Sequence, residues 1–510
     1  MRAVARFLII AGSILLMSGC SGQSTKPSSA EGGSTPYGVP VSLTVTDSPP
    51  AGVTVLFFQL SITAASLNTS SGSVSLLNTS NPIPVNVTQL QTDSAFLGSA
   101  NVAAGTYTGL SLTFANPQLT IFNGSGTAIG TCANNSVCQL TPTTTPSTLT
   151  FSTAPFPVTL TANSPLAFQL DIHLDTIIQQ NLSVDLAATD GVTLSQLPTP
   201  PSGAPFIHLG HLIGTAQSIT PSGFTLQTGD GRTFTITVNG STTYSYPAAI
   251  CSTDTPSCLA MGQIVKVELS LMSPGILLAT AVDYLQAQGQ TVVEGDIIRL
   301  TTSGSNTVMD LILQGGPPTP ASVFLPFGIW ASVTVPSTGV SYAVDSGSFT
   351  IPSRLSFASS SDLTVGQEVS VVMQGTVASS GGSGSSIPFG GPLSLGFTTN
   401  NVTLEPSQIT GSVAAIGSSA SSFTLSALPF FFIPPPLTPG GMPVLAPFNL
   451  TVDTTSATTF TNLTPDSFLG LAVNDVVSVG GWVFSTPSGA TTLTQVAGKV
   501  VGRPGPDPFF

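Results

Sequence analysis

Charge is what this sequence has least of. Only 6% of its 510 residues are Asp, Glu, Lys or Arg, against about a quarter in an ordinary soluble domain. Nine Lys plus Arg against 22 Asp plus Glu leave a net charge of −13. That balance excludes a nucleic-acid groove, because binding to phosphates needs a basic surface. Histidine (3) and tryptophan (2) are nearly missing, so a Ser nucleophile has few bases to draw on. There is no G-x-S-x-G elbow, no P-loop and no glycine-rich dinucleotide turn. The Ala/Glu/Lys/Arg-rich composition of long helices is lacking, which excludes coiled coils and helical repeats.

What fills the chain instead is Ser, Thr, Asn, 51 Gly and 42 Pro around short apolar runs. Those runs are four to eight residues long and alternate with Ser or Thr, as in Val41-Ser-Leu43-Thr-Val45, Phe234-Thr-Ile236-Thr-Val238 and Val369-Ser-Val371. A period of two predicts half-buried antiparallel strands. Asn239-Gly240 and Gly229-Asp230-Gly231 are hairpin turns, since these residues tolerate positive φ. The Pro-rich stretches at 315–320 and 429–443 cannot be interior strands and are expected as loops. The Gly/Ser stretch at 379–392 is expected as a flexible insertion.

The first residues carry an address. Arg2 and Arg6 precede an apolar run, Phe7 to Gly19, too short to span a bilayer but suited to a signal sequence. Met17-Ser18-Gly19-Cys20 resembles a bacterial lipobox. The resemblance implies that Cys20 becomes the first mature residue and is lipidated, and several acyl chains hold a protein on a membrane without a spanning helix. Ser21 to Pro36 is a polar tether. Past this segment no apolar run reaches the roughly 18 residues of a membrane helix. The expected location is the cell envelope, at the outer membrane of a Gram-negative bacterium.

Four further cysteines form two close pairs, Cys132 with Cys138 and Cys251 with Cys258, each enclosing a polar, turn-like interval. In an exported chain this spacing predicts two local disulfides. A metal reading would need tighter spacing or a nearby His.

A repeat organises the last three hundred residues. Gly214-Thr-Ala-Gln-Ser-Ile219 leads to Phe224-Thr-Leu226, and Gly411-Ser-Val-Ala-Ala-Ile416 leads to Phe423-Thr-Leu425. Gly295-Asp-Ile-Ile-Arg-Leu300 is a weaker copy of that opening. A closing motif occurs three times: Leu259-Ala-Met-Gly-Gln-Ile-Val-Lys-Val267, Leu363-Thr-Val-Gly-Gln-Glu-Val-Ser-Val371 and Leu471-Ala-Val-Asn-Asp-Val-Val-Ser-Val479. A period near one hundred residues is too long for a solenoid and fits small closed β-domains in tandem. The glycine-led strand, the F-x-L and the L-x-V-G-x-x-V-x-V pattern resemble the bacterial family "domain of unknown function 5666" over residues 209–503. Val41-Ser-Leu-Thr-Val-Thr-Asp47-Ser-Pro49 and Gly105-Thr106-Tyr107 resemble "domain of unknown function 4382" over about 40–197. The second resemblance implies an exported antiparallel sandwich of immunoglobulin or transthyretin type. Neither implies an activity or a catalytic residue.

The expected fold is therefore all-β: a signal peptide (1–19), lipidated Cys and tether (20–39), a β-sandwich (40–200), three barrel-like repeats (201–288, 289–407 and 408–503) and a tail (504–510). Candidate chemistry is sparse. Alternation through Phe168, Leu170, Ile172 and Leu174 places Asp171, His173 and Asp175 together on the opposite face, where they are weak metal candidates against a solvated strand face. His208 and His211 lack the Glu and helical spacing of a zinc protease and are expected in interdomain packing. Trp330, Phe430 and Phe431 are weak ligand-contact candidates, with packing favoured. Most acidic residues are expected in turns, as at Asp47, Asp230, Asp254 and Asp475. The function expected is non-enzymatic: a cofactor-free, lipid-anchored envelope protein with a structural, adhesive or interaction role. Its partners would be the lipid membrane and an envelope polysaccharide or another envelope protein. A glycan- or peptide-binding module is the alternative, and a metal-dependent envelope hydrolase the third choice.

Overall fold

The structure is a computed structural model. It describes residues 39–503 except 49–52, 78–80, 126, 135, 163, 180, 247–249, 274, 287–290, 316–326, 348, 381–393, 419–420, 430–431, 433–449 and 486–492. Cys20, the leader, the tether, Phe430, Phe431 and the tail therefore lie outside the described residues. Residues 37–510 form one compact unit. The only α-helix among the described residues is the single turn Leu174–Ile177. No described helix is long and apolar enough to cross a membrane.

The N-terminal part is a two-sheet sandwich. One sheet has four strands in the order Val192–Gln196, Leu166–His173, Val39–Ser48, Ala95–Val102. The other is built on two fifteen-residue strands, Thr54–Asn68 and Gly109–Asn123. Phe58, Leu60 and Ile62 from one sheet and Phe168, Leu170 and Ile172 from the other share a core. The first sheet is not purely antiparallel, since Val39–Ser48 runs parallel to Leu166–His173. The long intervening chain permits a crossover that a tight hairpin would forbid. The run Leu56-Phe57-Phe58 is buried on both faces. Phe58 faces the sandwich core, whereas Leu56 and Phe57 pack outward on Ile312 and Trp330 of a later sheet.

Three further β-units follow. Strands from Ile207 to Gln286 form a six-stranded sheet whose edge strand Thr233–Thr237 closes back on Ile276–Gln286, where Ile236 and Thr237 pair in parallel with Leu277 and Leu278. Strands Ser407–Ile416, Ser422–Ser426, Leu450–Thr461, Val476–Ser485 and Leu493–Arg503 close into a barrel. The middle unit departs from the simple barrel: its path is an open order of eight strands. The reason is visible in the pairing. Each of the two closing strands is broken in two, Glu368–Val372 with Gln374–Ser380 and Ser394–Thr398 with Asn401–Glu405. Trp330–Val335 and Ser341–Val344 pair in parallel with the two halves of the second, as the single strand Leu450–Thr461 does with Leu493–Arg503 in the last unit. The insertion at 381–393 falls between the broken halves.

The repeat motifs have a common physical basis. Gly214, Gly295 and Gly411 sit where an added Cβ would meet a carbonyl oxygen of the next strand at 2.5, 2.6 and 2.8 Å, so no side chain fits. In the closing motif, Gly262, Gly366 and Asn474 have φ of 85°, 82° and 75°, a left-handed conformation that glycine adopts freely and asparagine tolerates best among the rest. The residue after each one caps the turn. Gln263, Gln367 and Asp475 accept the backbone N–H of Ala260, Thr364 and Ala472 at 2.8, 2.8 and 2.7 Å.

Both disulfides form as expected, Cys132–Cys138 and Cys251–Cys258.

Candidate functional site

The residues singled out from sequence are largely dispersed. Asp171 and His173 do lie opposite the core face, with His173 Nε2 3.4 Å from Asp171 Oδ2. Asp175 is not on that strand, because the strand ends at His173 and the chain turns into the helix Leu174–Ile177. The three-residue row expected from alternation is thus not built. Trp330 is only 6% exposed and fills the seam between the sandwich and the middle unit with Leu56, Phe57, Val137 and Ile312. Its indole is not a surface contact, because the sandwich's outer sheet face covers it. Phe432, beside the undescribed Phe430 and Phe431, is buried in the last unit's core.

The chemistry collects elsewhere. In the strand Ile264–Ser273, Val265, Val267 and Leu269 point into the barrel core while Lys266, Glu268 and Ser270 take the other face. On an isolated barrel that face would be wet. Here the middle unit covers it, and Lys266 is only 2% exposed. The middle unit supplies its own non-core positions: Glu294 and Asp296 beside core residues Val293 and Ile297, Glu368 beside Val369, and Glu405 beside Leu404. Four of the five glutamates in the sequence meet at this junction. Sequence reading missed them by expecting acids in turns. The available signal was charge inside alternating strands, as in Val265-Lys-Val-Glu268 and Val293-Glu-Gly-Asp-Ile297, in a chain that otherwise avoids charge.

Lys266 Nζ pairs with Asp345 and, at 2.5 Å, with Glu405. Ser370 Oγ donates to the other oxygen of Glu405 at 2.7 Å. Burial disfavours the Lys266 charge, but Glu405 and Asp345 overcome that and hold its pKa well above normal. Of the two carboxylates sharing this cation, Asp345 is also buried, yet Lys266 pulls its pKa down. Burial pushes Glu405 up to about 8 despite Lys266. His211 lies 3.5 Å from Glu294. Burial lowers the imidazole pKa, and Glu294 more than offsets this, so the net shift is upward. Glu294 moves down in return, and among the described residues its Oε1 finds no hydrogen-bond partner. Burial pushes Asp283 and Asp296 up to about 7. Glu368 is driven well above the usual range by burial and by Asp296, Glu294 and Glu405 around it. Its carboxylate stands directly across from Glu405 on the neighbouring strand, a placement that two full charges would oppose.

The sandwich reaches into this junction with the segment Asn86–Ser94. Gln89 Nε2 donates to Glu368 Oε1 at 2.9 Å, and Gln408 Nε2 donates to Gln89 O at 2.6 Å. Thr410 Oγ1 donates to Gln91 Oε1 at 2.7 Å, and Lys499 lies 3.5 Å from Asp93. Gln314 Nε2 donates to both Leu56 O and Asp296 Oδ2, at 2.8 and 2.6 Å. All four β-units are thus tied by polar side chains around one cavity of about 420 Å³. Its walls include Asp93, His208, His211, Glu268, Glu368, Glu405, Lys499, Phe96 and Trp482. His208 accepts or donates at Nδ1 with Ser270 Oγ, 2.9 Å away, and its pKa is lowered, chiefly by burial.

Two family models match the chain. Residues 39–190 match "Domain of unknown function (DUF4382)", and residues 213–283 match "Domain of unknown function (DUF5666)". The first match covers the sandwich from Val39–Ser48 to Val184–Asp185 and stops before the strand Val192–Gln196. The second covers most of the first β-unit, including the Gly214 opening and the Gly262 turn. Both matches fall within the stretches where the sequence resemblances place them, the second on the first of the three repeats alone, and neither description carries an activity. No curated protein matches the chain.

Proposed function

We propose that the protein is a non-enzymatic, lipid-anchored component of the cell envelope that acts through binding, with its β-units held as one rigid body. The observation carrying this reading is the pair of disulfides, Cys132–Cys138 and Cys251–Cys258, in a chain that opens with a lipobox-like Met17 to Cys20. Stable local disulfides belong to oxidising compartments, and the polar tether is suited to hold a folded body off a membrane. The polar links through Asn86–Ser94 favour a rigid body over independently moving beads. Hydroxyl-rich neutral surfaces recognise partners by shape and hydrogen bonds in place of long-range steering. The partner on this reading is an envelope polysaccharide or another envelope protein.

The test of the anchor is metabolic labelling with palmitate. The wild-type chain should incorporate label and partition with membranes, and Cys20→Ser should do neither. Equal labelling of both chains, or none in the wild type, would refute it.

A further inference from the structure

The central cavity has a charge balance that its own residues leave incomplete. Each cation around it is already matched: Lys266 with Asp345 and Glu405, His211 with Glu294, Lys499 with Asp93, and Arg232 with Asp230 at 2.6 Å. Glu268 and Glu368 both line the cavity, and among the described residues neither has a cation within ion-pair distance. Glu368 is only 6% exposed; Gln89 serves its Oε1, and the described residues supply no donor to Oε2. Glu268 has accessible surface, yet burial raises its pKa. Glu268 is thus an exposed residue at the cavity's edge, and Glu368 is the buried one. Uncompensated carboxylates in a low-dielectric space cost several kcal/mol and are relieved by a cation or a proton.

The remaining walls indicate which cation. Trp482 is fixed by its indole N–H donating to Asp345 O at 2.7 Å, and Phe96 lines the same space. Aromatic faces attract ammonium groups. Among the described residues no three His, Cys, Asp or Glu side chains are arranged to hold a metal ion. About 420 Å³ lies within the range of small-molecule sites.

We infer that this cavity is a binding site for a small organic ammonium compound, with Glu268 and Glu368 receiving the cationic nitrogen and Trp482 and Phe96 flanking its carbon frame.

Around Glu368 stand Asp296, Glu294, Glu405 and Lys266; around Glu268 stand Lys266, Asp345, His211 and Asp93. Around Glu368 three acids face one cation, around Glu268 two face two, and burial raises the pKa of both carboxyls. An ammonium ion favours the ionised form of both carboxyls, so ligand entry and proton release are linked.

Isothermal titration of the full-length chain tests this with glucosamine and 1,4-diaminobutane, and with glucose as the neutral match to glucosamine. The amines should bind at least tenfold tighter than glucose, with an enthalpy that varies between buffers in the direction of proton release. Glu368→Gln and Glu268→Gln should each weaken amine binding at least tenfold without lowering the melting temperature of the unliganded chain. Should Glu368→Gln not fold, Glu268→Gln, at a position with accessible surface, still decides the matter. Four results would overturn the inference: no amine binds, glucose binds as well as glucosamine, a foldable glutamine variant keeps full amine affinity, or Ca²⁺ stabilises the chain as much as the amines do.

Discussion

Replacing Lys266 with Met removes the one cation between two buried carboxylates. Lys266 is 3% exposed at its side chain, Glu405 4% and Asp345 15%, so solvent screening does little to soften the change. Breaking a buried pair by deleting one partner costs about 3–5 kcal/mol, because the remaining charge is left without compensation. At roughly 2 °C per kcal/mol for a large cooperative unit, the melting temperature should fall by about 6–10 °C at pH 7.5. The deficit should shrink in acid. Without Lys266 the folded pKa of Asp345, now lowered, rises above its unfolded value near 4, and that of Glu405, already raised, climbs further. A carboxyl with a raised folded pKa favours the folded state below the unfolded pKa and loses that favour as pH climbs. The gap between variant and wild type should therefore narrow between pH 7.5 and about 5. The triple change Lys266→Met, Asp345→Asn, Glu405→Gln should recover most of the loss, since an uncharged trio of similar volume is often as stable as the ionic one. Scanning calorimetry across pH reads both effects. A single variant within about 1 kcal/mol of wild type at pH 7.5, or a triple variant worse than the single, would refute the role given to this triad.

Other outcomes follow from the same geometry. Asp283 and Asp296 have pKa values pushed up to about 7 and Glu405 up to about 8. All three contribute stability below pH 4 that is lost as pH rises through those values, so urea midpoints of the wild type should fall from pH 5 to pH 8. Asp296→Asn should raise the pH 8 midpoint and leave the pH 5 midpoint nearly unchanged, because the amide oxygen can still accept from Gln314. Trp330→Ala should cost about 3–5 kcal/mol of stability by opening the seam under Phe57, which denaturant titration would register; loss of binding with stability intact would contradict its burial. Gly262→Ala should cost about 1–2 kcal/mol because φ is 85° there, and Gly262→Asn distinctly less. Removing the Cys132–Cys138 bridge as a double Ser variant should cost about 2 kcal/mol, the entropy of a short closed loop.

The sequence by itself determined the fold class, the repeat and the cross-links, because those rest on local rules. Alternation places every second side chain on one face, so Val265, Val267 and Leu269 could be assigned to a core without knowing what else touched their strand. Gly262, Gly366 and Asn474 announce a left-handed turn wherever they fall, and cysteines six or seven residues apart can reach each other across one loop. Only the tertiary structure decided what becomes of the opposite faces. Alternation says that Lys266, Glu268, Glu294, Glu368 and Glu405 leave their cores, but not whether they meet water or one another. That depends on which units pack together, and such packing joins residues hundreds of positions apart, as with Gln89 on Glu368 and Lys499 on Asp93. The same limit misplaced Asp175, since a strand's end is set by its neighbours, and left Trp330 open between surface and seam. Burial is a property of the assembled surfaces, and it alone turns a polar strand face into a charged cavity.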